Sequence, residues 1–274
     1  MIDNFIQNIL PIAYAFSFML GACVASFLNV VIWRAPRGES VVFPPSHCPK
    51  CSSRIPWWQN IPILSWLALR GKCANCKMPI SPRYILIELL GALLFVAAFW
   101  KWQGSIETIF MWIWIALMIA GSFIDFDHKL LPDFTTVGGM VLGLIYGAIL
   151  SYFEKSYIPL MCSGIGLALG FGMLWLIRFL GTLAFKREAM GLGDVFLMGA
   201  VGALFGPISV LAVLILSSVF GSVVGLTMVA LSKARLGKFV EIPFGPYICF
   251  SCLIWMFFST ELINWYLRVI GCAA

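Results

Sequence analysis

Charged side chains are scarce in this sequence of 274 residues. They make up 11% of the chain, against about 25% in soluble globular domains, whereas hydrophobic residues make up 61% and the mean hydropathy is +0.97. This composition excludes a soluble globular domain and predicts an integral membrane protein. Basic residues exceed acidic ones by 18 to 12, an excess that membrane topology explains without a nucleic-acid partner.

The N-terminal region also lacks the features of a removable signal peptide. Its first apolar stretch follows Asp3 instead of a basic segment, and no Ala-x-Ala cleavage pattern ends it. We therefore expect this stretch to remain in the protein as the first membrane span.

Long apolar runs predict an all-α polytopic membrane protein with about eight transmembrane helices. Their approximate ranges are 9–33, 84–102, 108–126, 134–153, 158–184, 193–206, 208–232 and 244–268. A Gly-Pro turn in "FGPIS" separates the sixth run from the seventh. Because the sixth run is short for a membrane span, we expect neighbouring helices to surround it.

The distribution of Lys and Arg predicts the orientation, since these residues stay on the cytoplasmic side of short loops. With both termini outside, 15 of the 18 basic residues fall on the inner side: Arg34, Arg37, Lys50, Arg54, Arg70, Lys72, Lys77, Arg83, Lys129, Arg178, Lys186, Arg187, Lys233, Arg235 and Lys238. The polar segment between the first two spans is then cytoplasmic.

That segment, residues 34–83, carries two Cys-x-x-Cys pairs in turn-forming surroundings, Cys48 with Cys51 and Cys73 with Cys76. The spacing favours a structural four-cysteine zinc site in a small zinc-ribbon-like loop domain. Two disulfides are the alternative in an oxidising compartment, and a redox couple is another. The similar spacing of residues 249 and 252 falls on a predicted membrane helix and indicates packing.

Several carboxylates lie at or near predicted membrane depth, where an ionisable group is costly and therefore a candidate for function. Asp125 ends the third span and Asp194 begins the sixth, so the predicted topology brings both to the same membrane level. Two carboxyl groups that meet in a poorly solvated site share a proton, as in aspartic proteases. Gly191 and Gly193 would let backbone or substrate approach the second acid.

The acidic residues could also have purely structural roles. Asp127 and Asp133 lie in a short loop, where solvated or helix-capping groups are common, and Asp194 could itself be a helix N-cap. Glu88 could pair with Arg83 or another basic residue on the inner side.

The same acidic residues fit two further functions. A metal-dependent transferase acting on a lipid phosphate would use Asp125, Asp127, Asp133 and Asp194 as ligands of divalent ions. A proton-coupled transporter would also account for acids in the membrane, but it predicts an internal repeat, and none is visible.

Six motifs occur in order between about residues 21 and 248. They are "ASFLNVVIWR", the two cysteine pairs around "NIPILSWLALRGKC", "SPRYILIELLGALLF", "IDFDHKLLPD", "KREAMGLGDV" and "IPFGPYI". Together they make the chain resemble the bacterial type IV prepilin peptidases, membrane aspartic proteases with a Gly-x-Gly-Asp motif.

The resemblance implies a bifunctional enzyme of the bacterial inner membrane that serves type IV pili or type II secretion. Such enzymes cleave the leader of prepilins or pseudopilins after a Gly at the cytoplasmic face, then methylate the new N-terminus with S-adenosylmethionine. It implies that Asp125 and Asp194 are catalytic, that the cysteine loop is the zinc-binding region associated with methylation, and that the Pro-Phe-Gly-Pro motif at 243–246 lies near the active site. No Gly-rich loop identifies the residues that bind the methyl donor.

We therefore expect three parts: a first transmembrane helix at 1–33, the zinc-binding loop domain at 34–83, and a transmembrane peptidase domain at 84–274. Expected partners are prepilins or pseudopilins and membrane lipid, with the oligomeric state open. One departure is that Phe196 stands where many members of the resembled family have Lys. Acidic residues that could contact a basic leader are Glu39, Glu88, Glu188 and Glu241.

Overall fold

The computed structural model describes residues 2–188, 190–231 and 243–271. Within these ranges the chain forms nine α-helices: α1 Ile2–Arg34, α2 Leu64–Ala68, α3 Pro82–Trp102, α4 Ile106–His128, α5 Asp133–Phe153, α6 Ile158–Phe185, α7 Leu192–Phe205, α8 Pro207–Leu231 and α9 Gly245–Val269. The predicted all-α fold is confirmed. Four residues considered in the sequence analysis lie outside the described ranges. They are the predicted inner-side residues Lys233, Arg235 and Lys238 and the candidate leader contact Glu241.

The membrane helices agree with the apolar runs of the sequence. Seven helices in the described ranges are long and apolar enough to cross a membrane, and α7, with 14 residues, is the shorter eighth. Except at the start of α1, their bounds lie within about two residues of the predicted ones. The predicted Gly-Pro break is also confirmed, because Gly206 has a φ of 81° and Pro207 begins α8.

The chain divides into two compact units, Met1–Ala120 and Gly121–Ala274. In the first unit α1 packs along α3 through small residues, which let two membrane helices approach closely. A Cβ on Gly21 would lie 2.6 Å from the carbonyl oxygen of Gly91. Nearer the loop domain, the Asn29 side-chain amide donates a hydrogen bond of 3.2 Å to the carbonyl of Tyr84. These contacts support the polar segment that joins the two helices.

In the second unit α7 is surrounded by α5, α6, α8 and α9. Its residues from Leu197 to Leu204 are all buried. The backbones of α6 and α7 touch at Gly166 and Gly202, where a Cβ on either residue would overlap the carbonyl oxygen of the other. The expectation that neighbouring helices surround the short helix is therefore confirmed.

Candidate metal-binding and catalytic sites

The two Cys-x-x-Cys pairs occupy turns of the same construction. In the first turn the Cys48 N–H donates a hydrogen bond of 3.0 Å to the carbonyl of Ser53. In the second the Cys73 N–H donates one of 2.8 Å to the carbonyl of Met78, again five residues along. An isolated antiparallel bridge closes the base of each turn. Two short loops thus present their thiols in equivalent positions.

Both turns reverse direction directly after the second cysteine. Ser52 has a φ of 53° and Lys77 a φ of 58°, the left-handed conformation that closes a tight turn. Each of these residues also returns its N–H to the carbonyl of the first cysteine of its pair, at 2.9 and 3.1 Å. The local backbone therefore directs two sulfur atoms from each turn to the same side.

The four sulfur atoms form one cluster. The Sγ atoms all lie within 4.8 Å of one another, and those of Cys48 and Cys76 are 3.7 Å apart. A tetrahedral zinc ion with Zn–S bonds of about 2.3 Å separates its sulfurs by about 3.8 Å, so the cluster fits a four-thiolate metal site. In the described ranges the cysteines are free thiols.

The surroundings of two of the four sulfurs favour the thiolate, the form that binds metal. Hydrogen bonds from the Ser53 side chain and backbone lower the pKa of Cys51 to about 6, and the Ser53 Oγ lies 2.9 Å from its sulfur. A hydrogen bond from the backbone of Cys76 lowers the pKa of Cys73 as well. Although a hydrogen bond from the Met78 backbone acts in the lowering direction, burial and hydrogen bonds with the other three cysteines raise the pKa of Cys76 to about 11. Without metal the four sulfurs therefore share protons, which a bound cation would displace.

Asp125 lies near the C-terminal end of α4 and is buried, with 6% of its surface exposed. Its Oδ2 atom accepts a hydrogen bond of 3.0 Å from the backbone N–H of Gly245, the first residue of α9. A Cβ on Gly245 would lie only 2.6 Å from this oxygen. The motif "PFGP" thus supplies a donor that only glycine can bring so close.

Asp194 is equally buried, with 7% of its surface exposed, and belongs to the same unit as Asp125. The two carboxyl groups lie within electrostatic range of each other. The buried Oδ1 of Asp194 accepts no hydrogen bond from the described part of the chain. Helix capping does not account for the residue, because the N-cap of α7 is Gly191 and Asp194 is three residues further on.

Leu131 connects the surroundings of the two acids, although no role was predicted for this residue of the motif "IDFDHKLLPD". A Cβ on Gly193 would lie 2.7 Å from the Cβ of Leu131, and one on Gly245 would lie 3.3 Å from its Cδ1. Gly193, expected to admit backbone or substrate, is therefore already in contact with a side chain of the chain itself. Gly191 is more open, since a Cβ there would meet Asp194 Oδ2 at an ordinary 3.6 Å.

The other acidic candidates have different environments. Asp127 and Asp133 are exposed, but they do not lie in the short loop expected for them: Asp127 belongs to the last turn of α4, and Asp133 is the first residue of α5. Glu88 is buried, and the partner that the structure gives it is the Ile63 N–H, which donates a hydrogen bond of 2.7 Å to Oε2. Among the possible leader contacts, the exposed Glu188 lies 3.4 Å from the guanidinium of Arg178.

Glu39, another possible leader contact, is exposed as well. Phe196, which replaces the Lys common in the resembled family, packs its ring on Phe171 of α6, with centroids 5.4 Å apart and planes at 72°. It is two residues from Asp194 and therefore points to a different side of α7. An aromatic contact with α6 takes the place that a cation would have.

A multi-helix membrane fold that buries two neighbouring carboxyl groups is the arrangement expected of a membrane aspartic protease. Residues 19–102 match the family described as "Bacterial Peptidase A24 N-terminal domain", and residues 112–226 match the "Type IV leader peptidase family". The chain belongs to this family of type IV leader peptidases, and it is accordingly an enzyme and a multi-pass membrane protein.

Curated relatives agree over most of the chain. A protein of Legionella pneumophila named "Prepilin leader peptidase/N-methyltransferase" is 34% identical over 97% of this chain and 99% of its own. A protein of the same name from Neisseria gonorrhoeae is 38% identical and covers 94% of this chain and 96% of its own length. Another from Myxococcus xanthus is 40% identical and covers 84% of this chain and 67% of its own length. No solved structure matches the chain.

Proposed function

We propose that this protein cleaves the leader peptide of type IV prepilins or pseudopilins and that Asp125 and Asp194 are the catalytic pair. The observation that carries the assignment is the burial of both carboxyl groups in one unit, within electrostatic range of each other. The names of the relatives support the substrate class. Neither metal nor a covalent nucleophile is required for this chemistry.

The contacts of the two acids divide their roles. Because the Gly245 N–H stabilises negative charge on Oδ2 of Asp125, Asp125 is the base that takes a proton from water. Asp194, which buries an oxygen without a hydrogen bond, carries the shared proton and donates it to the substrate carbonyl oxygen. The water oxygen bonds to the carbonyl carbon to give a tetrahedral gem-diol. The C–N bond then breaks, the departing amine takes the proton from Asp125, and a hydroxyl of the gem-diol returns a proton to Asp194, which restores the starting pair.

The proposed orientation has the active site and cysteine loop on the cytoplasmic face of the bacterial inner membrane. Its support is the basic residues concentrated in the segments that this topology makes inner. A prepilin leader is basic and the helix after it apolar, so the helix lies in the bilayer while the scissile junction meets the acids at the membrane surface. The division into 1–33, 34–83 and 84–274 belongs to the same proposal.

We assign the cysteine cluster to a structural zinc ion held by Cys48, Cys51, Cys73 and Cys76. The support is the sulfur geometry, which matches four-thiolate coordination. A site closed by four thiolates leaves no open position for a substrate, so the metal stabilises the loop domain and takes no part in cleavage.

The second proposed activity is methylation of the new N-terminus with S-adenosylmethionine, as the relatives' names indicate. The metal-dependent transferase lacks comparable support, because the cysteine cluster is the one metal-binding group found among the described residues. The direct test incubates purified protein with a prepilin, with and without S-adenosylmethionine, and measures product masses. We expect cleavage after a Gly in both samples and one added methyl group only with the donor; an intact prepilin in both contradicts the proposal.

A further inference from the structure

The first unit contains a cavity of about 920 Å³ that the peptidase chemistry does not use. All the residues that line it lie between Ser26 and Glu88, in the last turns of α1, the loop domain and the first turns of α3. Pockets of about 300–1,000 Å³ typically bind cofactors and other small molecules. The cavity is therefore large enough for a small-molecule ligand.

Glu88 gives this cavity a negative charge. Its side chain lines the cavity although only 8% of the residue is exposed. The Ile63 N–H donates a hydrogen bond to Oε2. Among the residues that the structure describes, none donates a hydrogen bond to Oε1 and no basic side chain pairs with the carboxylate. A buried carboxylate normally has a cationic partner, because an unpaired charge is costly in a poorly solvated site. A cationic ligand would supply this partner.

The backbone around Ile63 shows that the carboxylate is held in position. Ile63 has a φ of 63°, which is rare for a β-branched residue, and it is the N-cap residue of α2. Its hydrogen bond to Glu88 therefore links a strained turn of the loop domain to α3. The carboxylate is fixed on one side, and its other oxygen remains available to a ligand.

Positive charge and aromatic surface line the same cavity. Arg34 is 8% exposed and donates hydrogen bonds to the carbonyls of Ser40 and Pro44, at 3.1 and 2.8 Å. Trp33 and Trp66 also line the cavity. A ligand with a carboxylate, a cation and an aromatic ring would therefore find a complementary group for each part.

We propose that this cavity binds S-adenosylmethionine, with Glu88 facing its cationic groups and Arg34 facing its carboxylate. The inference rests on the proposed methylation activity and adds the binding site and its residues. The bound donor supplies a methyl group to the substrate amine: an N–C bond forms, the S–C bond breaks to leave a neutral thioether, and the amine proton goes to water. Glu88 and Arg34 orient the donor and do not react.

A donor site in this cavity would also make the closed metal site important for methylation. Cys48 and Cys73 both line the cavity, so the two cysteine turns form part of its wall. A metal ion that holds the four sulfurs together fixes that wall. Loss of the metal would open the cavity without touching either catalytic aspartate.

Binding of labelled S-adenosylmethionine to the full-length, zinc-loaded protein in detergent tests the inference. Glu88→Gln removes the charge but keeps an oxygen that can accept the Ile63 N–H, so the turn retains its hydrogen bond. We expect equilibrium dialysis to give an affinity at least about tenfold weaker, the loss of a charge-assisted hydrogen bond. Glu107→Gln, the same substitution in the first turn of α4 and outside the cavity lining, should bind like wild type.

The outcomes separate this inference from the proposed function. If wild type and Glu88→Gln bind the donor equally, the site assignment is overturned and the methylation activity stands. If wild-type protein neither binds the donor nor methylates a cleaved pilin, both are overturned.

A second measurement needs no variant and therefore does not depend on Glu88→Gln folding. Ultraviolet crosslinking of the labelled donor to wild-type protein, followed by peptide mapping, should mark peptides containing Trp33 or Trp66. Label confined to peptides outside residues 26–88 would overturn the assignment.

Discussion

The backbone N–H of Gly245 donates a hydrogen bond to Oδ2 of Asp125, although the two residues are 120 positions apart in the sequence. The bond joins the end of α4 to the start of α9 inside the second unit. It gives one of two buried acids a fixed orientation and a stabilised negative charge, while the other acid keeps an oxygen without a hydrogen bond. This asymmetry is the basis for assigning base and acid.

The first prediction concerns the catalytic pair. Asp125→Asn and Asp194→Asn should each lower leader cleavage by about 10²–10⁴-fold, because each removes a group that exchanges a proton with the reacting atoms. A purified prepilin and gel or mass detection of the mature product provide the assay. Methylation of an already cleaved pilin should continue and serves as evidence of folding.

Asp127→Asn is the matched control, because this exposed aspartate is two residues from Asp125. Its cleavage rate should remain near that of wild type. Full cleavage by either Asp125→Asn or Asp194→Asn would show that the catalytic assignment is wrong.

The second prediction concerns Gly245. In Gly245→Ala the new Cβ would lie 2.6 Å from Oδ2 of Asp125 and must displace the carboxylate or the start of α9. A displacement of about 1 Å at a reacting group can lower the rate about 10²-fold, so we expect kcat for cleavage to fall about 10²-fold. Gly221→Ala on α8 is the control, since its Cβ would make only ordinary contacts, the nearest at 3.6 Å. Equal rates for the two variants would contradict the proposed role of the Gly245 N–H.

The third prediction concerns the metal site. The double change Cys48→Ser with Cys51→Ser should abolish zinc binding, measured by elemental analysis, and impair methylation more than cleavage. The reason is that only the loop domain depends on the metal for its fold. Cys23→Ser with Cys162→Ser makes the same chemical change outside the cluster and should keep both zinc and activity. Wild-type protein that contains no zinc and four reactive thiols would refute the metal assignment.

The fourth prediction concerns helix packing. In Gly166→Ala the new methyl group would overlap the backbone of α7 at Gly202, and such overpacking costs about 1–3 kcal/mol. The melting temperature in detergent should fall accordingly. Gly164→Ala on the same helix has nothing within 4 Å of the added Cβ, so the melting temperature should stay the same or rise. A lower melting temperature for both variants would place the effect in the helix itself instead of its contact with α7.

Much of the fold could be predicted from the sequence, because the signals for membrane helices are local. Each helix satisfies its backbone hydrogen bonds internally, so an apolar run of sufficient length defines it without knowledge of its neighbours. The break at Gly206 and Pro207 is local for the same reason, as is the pairing of Cys48 with Cys51 on one tight turn. The order and spacing of the motifs also predicted the family, and the matches confirm it.

Other features depend on side chains and backbone groups that meet only in three dimensions. Hydropathy placed Asp125 and Asp194 at one membrane level, but their burial in one unit and the Gly245 donor follow from helix packing. Leu131 had no periodicity or charge to distinguish it among many leucines, yet it contacts the surroundings of both acids.

The cavity in the first unit likewise exists only because the loop domain folds over α1 and α3. Glu88 then accepts a hydrogen bond from Ile63, 25 positions earlier in the sequence. By itself the sequence determined which segments are helices, which thiols form pairs and which acids enter the membrane region, since composition and short spacing specify these locally. The tertiary structure decided which of the acids are buried together and which backbone donors orient them, because long-range packing controls solvation and hydrogen bonding.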